Sequence, residues 1–168
     1  MGADKATLVV AGTPMAVRVA SAVLAAGCDP VFAVGGDADA LCAMGLVVVD
    51  AEFPGEGPLG GLITAITHAQ SCDAVVVVAC DVPWLRHDDV GKVVGALGDH
   101  DVAYAYTDRP EPLCAVWGVH ALAAVRDRFA AGARSVLEVL ASVDSVPVQL
   151  SADALRNVNT PDDLDLLR

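Results

Sequence analysis

The chain has no apolar run that approaches the roughly 20 residues a membrane-crossing helix needs. This holds although 55% of its residues are hydrophobic and its mean hydropathy is +0.54. The hydropathy comes largely from Ala and Val rather than from long side chains. The start, Met1-Gly2-Ala3-Asp4-Lys5, lacks the apolar core of a secretory signal. A cytoplasmic protein with no membrane partner is therefore expected. No C-x-x-C spacing occurs among Cys28, Cys42, Cys72, Cys80 and Cys114, so neither a zinc site nor a disulfide framework is indicated. Each is expected to be a small buried hydrophobe in a reducing compartment. His68, His87, His100 and His120 show no H-x-x-H spacing and are expected at the surface or at caps. Positive charge is scarce: 10 Lys and Arg face 22 Asp and Glu, for a net charge of −12. That field repels a polyphosphate backbone and argues against a nucleic-acid partner. A small anionic substrate would need local cations or a metal. There is no repeat, low-complexity stretch or linker, and 168 residues suit a single domain spanning 1–168.

What is present centres on Ala74–Leu85, Ala-Val-Val-Val-Val-Ala-Cys-Asp-Val-Pro-Trp-Leu. The first half is β-branched without a polar interruption, the pattern of a central strand covered on both faces in a parallel sheet. Asp81 follows it, and Pro83 removes a ladder donor. A carboxylate thus stands at a strand's carboxyl edge, where open α/β sheets bind ligands and where it can hold a divalent cation and, through it, phosphate. The plainer alternative is that Asp81 or Asp88 caps the next helix.

The remaining segments alternate. Leu8–Val10 reads as a short strand, and Thr13 and Pro14 as N-cap and first residue of an amphipathic helix on Met15, Val19, Ala22, Val23 and Ala26, stopped by Gly27. Val31–Val34 and Leu46–Val49 read as strands around a short helix from Asp37. The loop from Asp50 through Gly60-Gly61 leads into a helix on Leu62, Ile63, Ile66 and Ala69, and its glycines permit close backbone approach. Val90, Val93, Val94 and Leu97 mark a helix; Val102–Tyr106 and Pro112–Gly118 mark strands around a polar turn. Leu122 to Phe129 and Val136 to Leu140 read as helices, Val146–Leu150 as a strand, and Thr160 as the cap of a last helix. This order predicts a parallel-dominated α/β sheet with helices on both faces.

Seven pieces in order carry a family resemblance. They are Met1-Gly2-Ala3-Asp4-Lys5-Ala6, Gly12-Thr13-Pro14-Met15 with Arg18-Val19, and Asp50 with Pro54-Gly55-Glu56-Gly57-Pro58-Leu59-Gly60-Gly61-Leu62. The others are Ala79-Cys80-Asp81-Val82-Pro83-Trp84-Leu85, Glu111-Pro112-Leu113, Gly132-Ala133-Arg134-Ser135-Val136, and Asn157-Val158-Asn159-Thr160-Pro161-Asp162-Asp163-Leu164. Together they resemble the molybdenum cofactor guanylyltransferases, MobA-like nucleotidyltransferases. The resemblance implies a Rossmann-like, nucleotide-diphospho-sugar transferase-like fold and transfer of GMP from GTP to molybdopterin with release of pyrophosphate. It implies Lys5 and Asp81 as catalytic residues, Asp81 as ligand of Mg2+, and Lys5, Asp50, Gly57, Pro58, Leu59 and Gly60 on the nucleotide. It implies Asn157, Asn159 and Arg134 on the acceptor side, and molybdoenzymes or their chaperones as partners. A related transferase using CTP or a sugar phosphate, and a non-catalytic nucleotide- or molybdopterin-binding module, remain as alternatives. Relatives of this kind carry a strand and a Leu-Ala-Gly-Gly phosphate loop ahead of their Arg-Met-Gly. The sequence begins at that Met, so the first strand and phosphate loop are expected to be truncated.

Overall fold

The computed structural model describes residues 5–158. The expected helix start at Thr160 lies outside them. Val9–Val10 (β1) and Thr13–Pro14 (β2) form a small antiparallel hairpin in which Val10 faces Thr13. Ala11 and Gly12 turn it with φ of 48° and 82°. Thr13 is therefore a hairpin residue and not a helix cap. Pro14 takes the cap position of Met15–Ala25 (α1), which buries Met15, Ala16, Val19 and Val23.

Phe32–Val34 (β3) and Val47–Val49 (β4) pair in parallel around Ala38–Ala43 (α2), where the Asp37 carboxylate accepts from the Ala40 N–H at 3.1 Å. Gly57–His68 (α3) follows. It begins earlier than the leucine pattern suggested, so Gly57-Pro58-Leu59-Gly60 is its first turn rather than a loop, with Pro58 at a position that needs no N–H. Next come Ala74–Val78 (β5), His87–Gly95 (α4), Val102–Tyr106 (β6), Pro110–Gly118 (β7), Leu122–Ala130 (α5), Val136–Leu140 (α6) and Ser145–Gln149 (β8).

A four-stranded sheet has the order β5-β7-β6-β8. β5 and β6 both run antiparallel to β7, while β8 runs parallel to β6. Three strands therefore share one direction, and with the parallel β3–β4 pair the molecule is mostly parallel. β7 is the reversed strand because only Thr107–Arg109 separates it from β6, too few residues for a crossover. Register slips between Tyr104 and Ala105, whose partners are Ala115 and Glu111. The intervening Pro112, Leu113 and Cys114 bulge away from β6, and Leu113 C=O accepts from Ala79 N–H at 2.8 Å beyond the end of β5.

Side chains alternate across the sheet with period two. Val76, Val78, Ala103, Ala105, Cys114 and Val116 meet α1 and α4 through Val19, Val23, Val90 and Val93. Val75, Val77, Val102, Ala115 and Trp117 meet α3, α5 and α6 through Leu62, Ile66, Val125 and Val139. Both faces are covered, as the apolar strands required. One expectation is corrected: β5 is not a central strand of its sheet. It pairs with β7 on one edge and with no strand among the described residues on the other, and all five of its residues are only half-buried. Its apolar run reflects coverage of both faces, which says nothing about its edges.

Trp117 is fully buried, and its indole Nε1 has no hydrogen-bond partner among the described residues. Trp117→Phe discards that unsatisfied donor together with some packing. It is expected to cost under about 1.5 kcal/mol in urea unfolding, against about 3–5 kcal/mol for Trp117→Ala. A Trp117→Phe cost well above that figure would show that the indole N–H is satisfied.

Candidate active site

The loop after β5 carries Asp81, and three contacts hold it. Val82 and Leu85 are buried in the core under α4. Arg18 of α1 donates from Nε to the Pro83 carbonyl at 3.1 Å. The Asp81 carbonyl accepts from the Val158 N–H at 2.9 Å. Val158 is fully buried with Val10 and Met15, so this bond is dry. Asp81 caps no helix. Arg86 takes the cap position of α4, and Asp88 and Asp89 occupy its first turn, where acids favour the helix dipole.

The Asp81 carboxylate is 19% exposed, and its Oδ2 lies 3.8 Å from Lys5 Nζ. Asn157 is placed beside Asp81 by the Val158 bond. Asp81 and Asn157 line one cleft of about 190 Å³ together with Glu111, Leu113 and Cys114. The bulge in β7 supplies the last two, and Glu111 precedes it. In the sequence Glu111 stands out only through the Glu111-Pro112-Leu113 piece, because a bulge has no spacing signature. The Glu111 carboxylate accepts from Arg109 Nε at 2.9 Å, which holds the Arg109 guanidinium above its usual range.

Elsewhere the expected residues fall into a second group. Leu59 is fully buried in the core beneath α5 and α6. Gly60 is required by close approach, since a Cβ there would lie 3.0 Å from both the Cβ and the carbonyl oxygen of Phe53. Arg134 sits at the start of α3: its Nε donates to Glu56 Oε2 at 2.6 Å, its Nη1 to the Phe129 carbonyl at 3.1 Å, and its guanidinium lies 4.3 Å over the Phe129 ring. It stands beside Gly57 and Glu56 and does not line the cleft of Asp81 and Asn157. Asp50 is exposed directly after β4, whose Val49 carbonyl accepts from Gly35 N–H at 3.2 Å. Asn159 lies outside the described residues. Lys5, Asp81 and Asn157 are thus brought together, while Gly57–Gly60 and Arg134 form a separate cluster.

Among the described residues no group of three or more His, Cys, Asp and Glu side chains could enclose a metal. The cleft offers the carboxylates of Asp81 and Glu111 and the amide of Asn157. So few, all-oxygen donors suit a magnesium ion that keeps waters and substrate phosphates in its shell, and do not suit zinc.

The cysteines differ from expectation. Cys114 alone is buried, whereas Cys28 and Cys72 are half-buried and Cys42 and Cys80 exposed. These follow helix ends and loops, where no hydrophobic period predicts burial. Burial, and then the charges of Asp89 and Glu111, push the Cys114 thiol up to about 12.

Residues 1–146 match the family described as the MobA-like NTP transferase domain. The chain is 28% identical to the molybdenum cofactor guanylyltransferase of Rhodobacter capsulatus, across 98% of this chain and 86% of that protein. It is 34% identical to a probable molybdenum cofactor guanylyltransferase of Chloroflexus aggregans, across 99% and 86%. Among solved structures it superposes on molybdopterin-guanine dinucleotide biosynthesis protein A from Archaeoglobus fulgidus with a TM-score of 0.71 at 22% identity, covering 96% of this chain and 87% of that one. It superposes on 2-C-methyl-D-erythritol 4-phosphate cytidylyltransferase from Thermus thermophilus with a TM-score of 0.73 at 17% identity, covering 96% and 91%. At these identities the two structures share the fold.

Two outcomes follow from the raised thiol. In native protein at pH 8, iodoacetamide is expected to modify Cys42 and Cys80 and to spare Cys114, as read by peptide mass spectrometry. The folded state keeps Cys114 protonated while the unfolded thiol ionises near 9.0. The stability this contributes is full below that pH and is lost as pH rises toward the folded value. Cys114→Ala should therefore show a shallower alkaline loss of stability than the parent; an identical slope would exclude Cys114 as its source.

Proposed function

The chain belongs to the MobA-like NTP transferase family, and from that membership we propose that it transfers GMP from GTP to molybdopterin, forming the guanine dinucleotide cofactor and pyrophosphate. The observation that carries the reading is the Lys5–Asp81 pair at the end of β5, with Asn157 held beside it. The guanylyltransferase relatives span nearly the whole chain and support GTP as the donor. A molybdopterin phosphate oxygen attacks the α-phosphorus of GTP, and the bond from that phosphorus to the bridging oxygen breaks. The electron pair leaves on pyrophosphate.

Negative charge grows on the departing phosphate, and Lys5 supplies a fixed positive charge against it within an otherwise acidic protein. Asp81 is the ligand for a magnesium ion, with Glu111 as the second carboxylate in reach of the cleft. When bound, such an ion neutralises phosphate oxygens and stabilises the leaving group. Asn157 can donate to or accept from the acceptor without adding charge, which suits a site already carrying two carboxylates. Gly57–Gly60 and Asp50 are assigned to the nucleotide side. Asn159 is kept with Asn157 on the acceptor side, together with Arg134. Reaction in the cytoplasm and delivery of the product to molybdoenzymes or their chaperones complete the reading.

The test is single-turnover conversion of GTP and molybdopterin with magnesium, followed by chromatography of the dinucleotide and by pyrophosphate release, with CTP in a parallel reaction. Lys5→Ala and Asp81→Asn are each expected to lower the rate about 10²-fold or more. Asn157→Ala is expected to raise KM for molybdopterin more than for GTP. A cytosine dinucleotide formed in preference would move the reading to a cytidylyltransferase. Nucleotide binding without turnover would leave a binding module.

A further inference from the structure

Two carboxylates enter the cleft, from different strands and in different company. Asp81 follows β5 and faces Lys5 Nζ at 3.8 Å, so a cation stands ready for phosphate on that side. Glu111 belongs to β7, opposite Ala105 of β6. Its Oε1 accepts from Arg109 Nε at 2.9 Å, and Thr107 Oγ1 lies 3.4 Å from the same oxygen. Its Oε2 has no hydrogen-bond partner among the described residues. The Glu111 side chain is 22% exposed against 71% for Arg109, so the guanidinium covers the carboxylate from the solvent side.

The turn that carries these partners is itself tied down. Thr107 N–H donates to the Arg109 carbonyl at 3.1 Å, and Gln149 Nε2 of β8 donates to the Thr107 carbonyl at 3.1 Å. One edge of the Glu111 carboxylate is therefore fixed before any ligand arrives, and its other oxygen is a preorganised acceptor. The guanidinium against Oε1 repels a divalent cation, which leaves Asp81 as the metal's carboxylate and Glu111 for hydrogen-bond donors. Around Glu111 the cleft has apolar walls, Pro112, Leu113 and Leu155 among them. At about 190 Å³ it lies below the roughly 300 Å³ from which ligand pockets start, so it takes one end of an acceptor rather than the whole.

We propose that Glu111, held by Arg109, reads the pterin head of the acceptor. The proposal takes molybdopterin as acceptor from the function proposed above. The phosphate of molybdopterin and the pyrimidine edge of its pterin lie at opposite ends of the molecule. That edge presents two donors side by side, the ring N3–H and the 2-amino group. Oε2 and the remaining lone pair of Oε1 accept both as charge-assisted bonds, while the apolar walls cover the ring. With the phosphate at Lys5 and Asp81, the head falls toward β7. Guanine carries the same pair of donors, but the residues assigned to the nucleotide, Gly57–Gly60, do not line this cleft. Glu111 is thus the specificity residue for the acceptor, and Arg109 is its positioning residue.

The test is isothermal titration of the chain with 6-hydroxymethylpterin phosphate and with its lumazine counterpart, which has a carbonyl in place of the 2-amino group. Magnesium is present and nucleotide is not, so guanylyl transfer is not required and its failure would show separately, as absent turnover beside intact pterin preference. The parent is expected to favour the pterin about tenfold or more. Glu111→Gln puts an amide where the carboxylate stood and is expected to bring the two ligands within about twofold of each other. Arg109→Ala is expected to weaken the preference part of the way and Arg109→Lys to restore some of it, a pattern that a merely structural role would not give. No preference in the parent, or an undiminished one in Glu111→Gln, would overturn the proposal. Two further readings distinguish the other uses of the carboxylate. Discrimination of GTP from ITP, which lacks the 2-amino group, is expected to be the same in parent and Glu111→Gln; its loss would assign Glu111 to the nucleotide base and overturn the proposal. Mn2+ affinity, read by electron paramagnetic resonance, is expected to stay within about twofold; a fall of about tenfold or more would make Glu111 a metal ligand instead.

Discussion

The candidate site depends on one backbone hydrogen bond, from the N–H of Val158 to the carbonyl of Asp81. It ties the carboxyl-terminal part of the described chain to the loop after β5, and so sets Asn157 beside the carboxylate. Its strength comes from its surroundings. Val158 and Met15 are fully exempt from solvent and Val10 nearly so, so water does not compete for either group. The same small core gathers the hairpin of β1 and β2, the first residue of α1 and the partly buried Trp84. Three remote stretches of sequence thus meet at the base of the cleft. Arg18 adds a second tie to the same loop at Pro83, so the loop is held from both α1 and the Asn157 segment.

Charge has to be read at two scales here. The whole molecule carries −12 and repels polyanions at long range. At the cleft the balance differs, because Lys5 lies against Asp81 and Arg109 against Glu111. Each carboxylate lining the cleft has a cation as neighbour. An acidic protein can accept a triphosphate on those terms when a divalent ion contributes further positive charge, and screening over about 8 Å at physiological salt confines the repulsion of the distant acids.

Much of this was legible in the sequence, for identifiable reasons. Asp81 stood out because a β-branched run ended at it, and run and carboxylate need no partner to be recognised. The helices on Met15, Val90 and Leu122 were legible from period alone. Features that depend on pairing between strands were not. The reversal of β7 and the bulge that brings Leu113 and Cys114 to the cleft, just after Glu111, arise from cross-strand register, which no local pattern encodes. The position of β5 at an edge was misread because face burial and edge pairing leave the same composition. The contacts of Arg134 with Glu56 and Phe129 are likewise a tertiary fact that a Gly-x-Arg segment cannot announce.

The slip in register between β6 and β7 divides the labour along one strand. From Ala115 onward β7 pairs with both β5 and β6, while Pro112, Leu113 and Cys114 have left β6 and keep only the β5 side, through Cys114 opposite Val78 and the Leu113 carbonyl on the Ala79 N–H. This wall of the cleft is thus held by the ladder on one side only. Changes in its width can accumulate there without disturbing strand alignment, so preference among substrates can drift faster than the fold that presents them.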